Sequence, residues 1–246
     1  MQLDSITMPQ FEDALERTRT VIQPIGAVEE HGPHLPLGTD TFQVWEVSRL
    51  AAEKAGAFVA PAIPYGVCRS TRDHPGTIGI TTPVLRALIL DLGRDFFRQG
   101  LRTIIFISGH AGKTHLLTIL DAAEELLDTL PGLQTAVVSE YNEILKEGSG
   151  LIETEDDSHA GEVETSRLLF LHPDLVHGTA PEEYPDFPPH LLVRDKRRYW
   201  KGGVWGDPGR ASAEKGKALM DIAVRHLAEI VARVEEGETP EPSARR

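Results

Sequence analysis

Along this chain, short apolar runs alternate with longer segments in which apolar residues recur every three or four positions. Residues 20–28, TVIQPIGAV, read as a strand running into a Gly turn, and 41–56, TFQVWEVSRLAAEKAG, as a helix with a Gly stop. AFVAPAIPYG (57–66) is the next strand, its end pushed into a loop by prolines. A Thr cap, a Pro in the first turn and a closing Gly mark TPVLRALILDLGRDFFRQG (82–100) as helical. The series continues with a buried strand at 103–108, a helix at 113–130, a strand at 133–141, a helix at 160–171 and a long amphipathic helix at 211–237.

Strands separated by helices predict an α/β fold with a mostly parallel sheet layered between helices. In such sheets the working residues collect where strand carboxyl ends turn into helices. The unusual residues of this chain fall there: GAVEEHGPHLPLGTD after the first strand, YGVCRSTRDHPGT after the second and SGHAGKTH after the third. We expect one domain over residues 1–236 and a polar, Pro-containing, disordered tail at 237–246.

Composition narrows the chemistry. With 38 acidic against 25 basic residues the formal charge is -13, which disfavours nucleic acid and anionic membranes as partners. The one basic cluster, RDKRRYWK at 194–201, reads as a solvated loop, with an anion-contacting edge as the alternative. No run of 18 apolar residues and no signal-peptide core appears, so a soluble, cytoplasmic protein is expected. The single cysteine, Cys68, leaves any metal centre to His, Asp and Glu, and Cys68 itself reads as a small semi-buried residue.

The ending GKT at 112–114 resembles that of a phosphate-binding loop, but the pattern requires Gly at 107 and Ile107 stands there. What remains is His110 at the end of a buried strand, flanked by Gly109 and Gly112, which allow a close backbone approach. A metal ligand and a His packed under the next helix are both open readings. EEHGPHLPLGTD weighs towards the ligand: on extended chain Glu29 and His31 share one face with Glu30 opposite, and the Pro-rich loop is able to bring Asp40 back to the same point. In DSHAGEVETS, His159 lies at a loop-to-helix junction, Glu162 reads as a solvated first-turn acid, and Glu164 sits on the side that should pack inward. Glu29, His31, Asp40, His110 and Glu164 together suit two divalent ions, Zn, Mn or Fe, bridged by one carboxylate, with a bridging water as nucleophile.

These segments, with HPGTIGI, HAGEVETS and GVWGDPGRASAEKG, resemble the creatininase (creatinine amidohydrolase) family over residues 20 to about 220. The resemblance implies a layered α/β fold, a binuclear metal site, hydrolysis of non-peptide C–N amide bonds and a homohexamer. It makes Glu29 and His31 ligands of different metals, Asp40 the bridge, His110 a ligand and His159 the proton shuttle. In creatininase proper a Glu follows the His of the third loop by two residues. Here Gly112 stands at that position, which makes Glu164 the fifth ligand. Deformylases with a phosphorylated substrate are the preferred analogue, and precursor-peptide-trimming members are a further branch. A non-catalytic metal-binding or assembly protein is the alternative of another class.

Lys113 beside the site, with Arg69 and Arg72, points to a small amide substrate carrying an anionic group. Trp200 and Trp205 flank KGGV, a glycine-hinged segment read as either a lid or a subunit contact, and Trp205 joins the substrate-binding candidates. His34 is expected to fix its loop by a hydrogen bond, His115 to be structural, and His74 to line the cleft or face solvent.

Overall fold

The protein, here a computed structural model, is described over residues 1–235. Its strands are β1 (Thr20–Ile25), β2 (Phe58–Val59), β3 (Thr103–Ser108) and β4 (Gln134–Ser139), all parallel, in the order β2-β1-β3-β4. Its α-helices are α1 (Met8–Leu15), α2 (Thr39–Ala55), α3 (Thr82–Arg98), α4 (Lys113–Thr129), α5 (Glu140–Glu147), α6 (Glu162–Leu171) and α7 (Ala213–Glu235). The tail expected at 237–246 lies outside the described residues.

Every residue of β1 and β3 is buried, which is why both read as continuous apolar runs rather than alternating ones. Their side chains divide by parity. Val21, Ile25, Ile104 and Phe106 pack with Leu85 and Ile89 of α3 and Ile119 and Leu126 of α4 on one face. Ile22, Ile105 and Ile107 pack with Val44 and Val47 of α2, Ile144 of α5 and Leu219 and Leu227 of α7 on the other. Each such fully buried side chain contributes about 1.5–3 kcal/mol of transfer free energy. The result is the expected three-layer α/β arrangement.

Three local expectations are corrected. The second strand is only two residues long, because Pro61 and Pro64 lack the N–H groups a ladder needs; beyond it a single bridge joins Ile25 to Ile63. The strand predicted to reach Tyr141 ends at Ser139, and α5 begins at Glu140. Thr81, not Thr82, occupies the cap position of α3, with no side-chain capping bond. Among the described residues no helix is long and apolar enough to cross a membrane.

Strands β1 and β3 pair from Thr20 with Thr103 to Ile25 with Ser108, so their carboxyl ends are level. The chain order reverses between them, which opens a crevice at that edge. Behind it, α6 and α7 approach closely: a Cβ on Gly216 would stand 1.9 Å from the Ser166 carbonyl oxygen. That neighbour is backbone and cannot rotate away. Gly216→Ala is expected to destabilise the fold by about 1–3 kcal/mol, read as a lower urea midpoint at unchanged m-value. An unchanged midpoint would mean that the two helices separate freely here.

Candidate metal centre

Glu29, Glu30 and His31 follow β1, Asp40 is the second residue of α2, His110 follows β3, and His159 and Glu164 flank the start of α6. The Pro-rich loop does fold back: Glu29 N–H donates to the Leu37 carbonyl at 2.9 Å, and Thr39 closes on the Pro36 carbonyl through both its N–H and its hydroxyl. Gly109 presses the β3 exit against α2, where a Cβ would stand 2.3 Å from the Asp40 carbonyl oxygen. A larger residue would push His110 away from Asp40.

All five predicted donors converge in the interior, as does His159. Asp40 lies between two groups. Its Oδ1 is 3.0 Å from His31 Nε2, which is 3.5 Å from Glu164 Oε2; its Oδ2 is 3.2 Å from His110 Nδ1, which is 2.7 Å from Glu29 Oε2. Glu29 Oε2 and Asp40 Oδ2 are buried without a hydrogen-bond partner, His110 Nδ1 standing 2.7 and 3.2 Å from them as the nearest charged group in an ion pair. Orphaned buried carboxylate oxygens are costly unless a cation meets them. That donor set, three carboxylates and imidazoles around shared empty valences, fits divalent metal ions.

The imidazoles are turned for ligation. His31 uses Nδ1 on the Glu29 carbonyl at 3.0 Å and presents Nε2; His110 uses Nε2 on the Val67 carbonyl at 3.3 Å and presents Nδ1. A backbone carbonyl on the remote nitrogen fixes both the tautomer and the ring plane. Glu29 is further held by the Thr71 hydroxyl, and Glu164 by the Tyr141 hydroxyl and by Ala160 N–H at 2.5 Å.

The buried acids and imidazoles shift one another. Burial pushes Asp40 and Glu164 up, yet the His31 imidazole and its neighbours outweigh it and hold each at about 2. Burial likewise opposes ionisation of Glu29, and His110 overrides it, so that its net direction is down. For His31 and His110 burial works downward, and the facing carboxylates raise both well above the ordinary imidazole range. His159 is raised too: burial and His31 lower it, while the Glu30 contact and the charges of Glu29 and Glu164 prevail. Its ring stacks on His31 at 4.3 Å and its Nε2 donates to the Glu30 carbonyl at 2.8 Å.

Glu30 was expected on the face opposite Glu29 and His31. It is 5 % exposed, accepts from Gly32 N–H at 2.9 Å, and its Oε1 is 3.6 Å from His159 and 3.9 Å from His74. Glu162, expected as a solvated acid, is fully buried, where it accepts from the N–H groups of Glu153 and Thr154 and from Lys215. Its burial was hidden because Lys215 lies far along the chain. His34 bonds Thr165 at 2.8 Å; His115 accepts from Val67 N–H and is buried, and His74 is buried with Nε2 on the Trp200 carbonyl.

Trp200 is already buried as a wall, edge-on to His74, His159 and Trp205, and its indole N–H donates to Val204 at 2.7 Å; the open lid is therefore not its state here. Trp205 is half-buried, and its backbone pairs with His159 in both directions. Arg72 and Lys113 are exposed and stand outside the convergence, as does Arg69, whose carbonyl takes the Lys196 ammonium. Sequence reasoning passed over Tyr141, Thr71 and Glu30, although Glu30 stood inside the quoted motif.

Buried acids and imidazoles gathered at the switch point of a parallel sheet give the class: an α/β protein with a candidate metal centre. The family model described as creatinine amidohydrolase matches residues 4–231, and the chain belongs to the creatininase family. It is 32% identical to the mycofactocin precursor peptide peptidase of Mycolicibacterium smegmatis, over 87% of this chain and 84% of that protein. It is 28% identical to the creatinine amidohydrolase of Pseudomonas putida, over 92% and 94% of the two chains. The 3-dehydro-scyllo-inosose hydrolase of Thermotoga maritima is 30% identical over 96% and 85%. A solved structure described as creatininase with Mn superposes with a TM-score of 0.85 at 25% identity, covering 95% of this chain and 98% of that one. The three relatives are all hydrolases by name, and each name gives a different substrate.

Proposed function

We propose that this chain is a metal-dependent amidohydrolase that holds two divalent ions and cleaves a C–N bond other than a peptide bond in a small amide, formamide or cyclic amide. The observation that carries the reading is Asp40, a buried carboxylate with one oxygen aimed at His31 and the other at His110. Glu29 and His110 would hold one ion, His31 and Glu164 the other, with Asp40 shared. Ions so held supply Lewis-acid polarisation of the scissile carbonyl and a water acidic enough to attack at neutral pH.

The chain's own residues do the rest. His159, whose imidazole is shifted upward by the Glu30 contact and by the charges of Glu29 and Glu164, is the group placed to deliver a proton to the leaving nitrogen. Glu30 and Trp200 fix its ring, one through a hydrogen bond and the other by edge contact. Trp200 also keeps water from the back of the pocket. We assign Trp205 to the substrate-facing wall. Arg72 and Lys113 supply positive charge near its mouth for an anionic substituent, in keeping with their exposure in an acidic protein.

A second reading, hydrolysis of a peptide precursor, is favoured by the 32% identity to the mycobacterial peptidase. Protein purified without chelators is expected to carry two metal ions per chain by plasma mass spectrometry. Chelation should abolish hydrolysis of formamides and cyclic amides, and added Zn or Mn should restore it. A protein that takes up no metal would end the proposal; full occupancy with turnover of peptides alone would select the second reading.

A further inference from the structure

Cys68 is the only thiol of the chain, and it is buried beside this centre. Its Sγ, a Glu29 carboxylate oxygen and a ring nitrogen of His110 all lie within 4.8 Å of one another. The adjoining Val67 is pinned at both ends: its N–H donates to His115 Nδ1 at 3.1 Å, and its carbonyl meets His110 Nε2 at 3.3 Å. The ring that presents Nδ1 to the carboxylates therefore also fixes the backbone carrying the thiol. The second observation is independent of sulfur: Glu29 Oε2, in a residue 1 % exposed, has no hydrogen-bond partner and stands 2.7 Å from Nδ1 of His110, the third member of this group.

We propose that Cys68 is a thiolate donor to the ion held by Glu29, Asp40 and His110, so that the two halves of the centre differ in kind. This rests on the metal-centre reading above. One half offers two carboxylates, an imidazole and a sulfur, a set suited to zinc, which can expand to five positions and so would still admit a water. The other, His31, Glu164 and the shared Asp40, offers only nitrogen and oxygen, which suits manganese as well as zinc. On binding, the S–H proton leaves to solvent and the sulfur lone pair forms the bond to the ion; no oxidation is involved. The thiolate thus gives the site a built-in preference between two ions of equal charge.

Cobalt is the direct probe, because thiolate ligation gives an intense near-ultraviolet charge-transfer band that oxygen and nitrogen donors do not. The metal-free full chain is titrated with Co²⁺, with bound cobalt counted by plasma mass spectrometry. The native protein is expected to develop the band with occupancy of one site. Cys68→Ser is expected to bind cobalt without the band, with zinc affinity at one site lowered at least about tenfold and manganese affinity little changed. Native protein carrying two cobalt ions per chain with no band would overturn the thiolate ligand and leave the binuclear reading intact. Native protein that binds no cobalt would overturn both. The native titration decides the matter even where the Ser variant folds poorly.

Discussion

Replacing His159 by Ala is expected to lower kcat by about 10²–10⁴-fold, with metal content unchanged. The ring lies against His31 at 4.3 Å and donates Nε2–H to the Glu30 carbonyl, so it is placed beside the donors while its hydrogen bond is spent on backbone. On the proposed reading, a group in that position would move protons to and from the reacting atoms without being needed to retain the ions. The check is kinetic and compositional together, kcat and KM on the best amide found alongside plasma mass spectrometry of the same sample. Loss of an ion with the activity would make His159 a ligand, a role its proximity to His31 and Glu164 also permits. Unchanged kcat would remove it from the reaction altogether.

Arg167→Met produces the largest stability effect, a loss of about 3–5 kcal/mol, on the order of 10 °C in Tm for a chain of this size. Arg167 is fully buried in α6; its guanidinium takes both oxygens of Glu140 at 3.0 and 2.8 Å, and its Nε rests on the Met220 sulfur at 3.2 Å. Burial alone already pushes the Glu140 carboxyl up, and removing its counter-charge leaves an acid with no solvent to turn to. Adding Glu140→Leu to the variant should recover most of the loss, because two apolar residues leave nothing unpaired. A single variant as stable as the parent in thermal unfolding would show that Glu140 finds water. The pair also matters to the site, because Tyr141, next to Glu140, holds the Glu164 carboxylate. Helices α5 and α6 are clasped twice within one turn, and Glu164 inherits that rigidity.

The layered α/β order was legible because β1, β3 and most helices carry unmistakable periodicity and clear stops at Gly56 and Gly100. It failed where chemistry left no mark on the pattern. VVSEY contains no Gly or Pro between β4 and α5, so the strand was carried two residues too far and Tyr141 was taken for strand. The second strand was overread because apolar residues between prolines imitate a strand without its donors. The six site residues that the structure draws together were named from local motifs, since each motif is contiguous. The burial of Glu162, like that of Arg167, leaves no mark on the local sequence, because Lys215 and Glu140, which pair with them, come from distant segments. Arg72 and Lys113 were picked for charge and proximity in sequence, and sequence proximity does not fix the direction of a long exposed side chain.

Asp40 has one further consequence, for ion size. The two oxygens of a carboxylate are a fixed distance apart, and Asp40 is anchored at the start of a 17-residue helix packed on the sheet. If two ions were to share it as proposed, a change of ionic radius on one side would have to be taken up by the other donors on that side. On the Glu29 and His110 side the adjustment would fall to the short turn after β3, which carries His110, and on the His31 and Glu164 side to the first turn of α6, which carries Glu164. Exchange of a smaller ion for a larger one would therefore be registered as loop displacement at one rim of the pocket or the other, with the sheet and α2 unmoved.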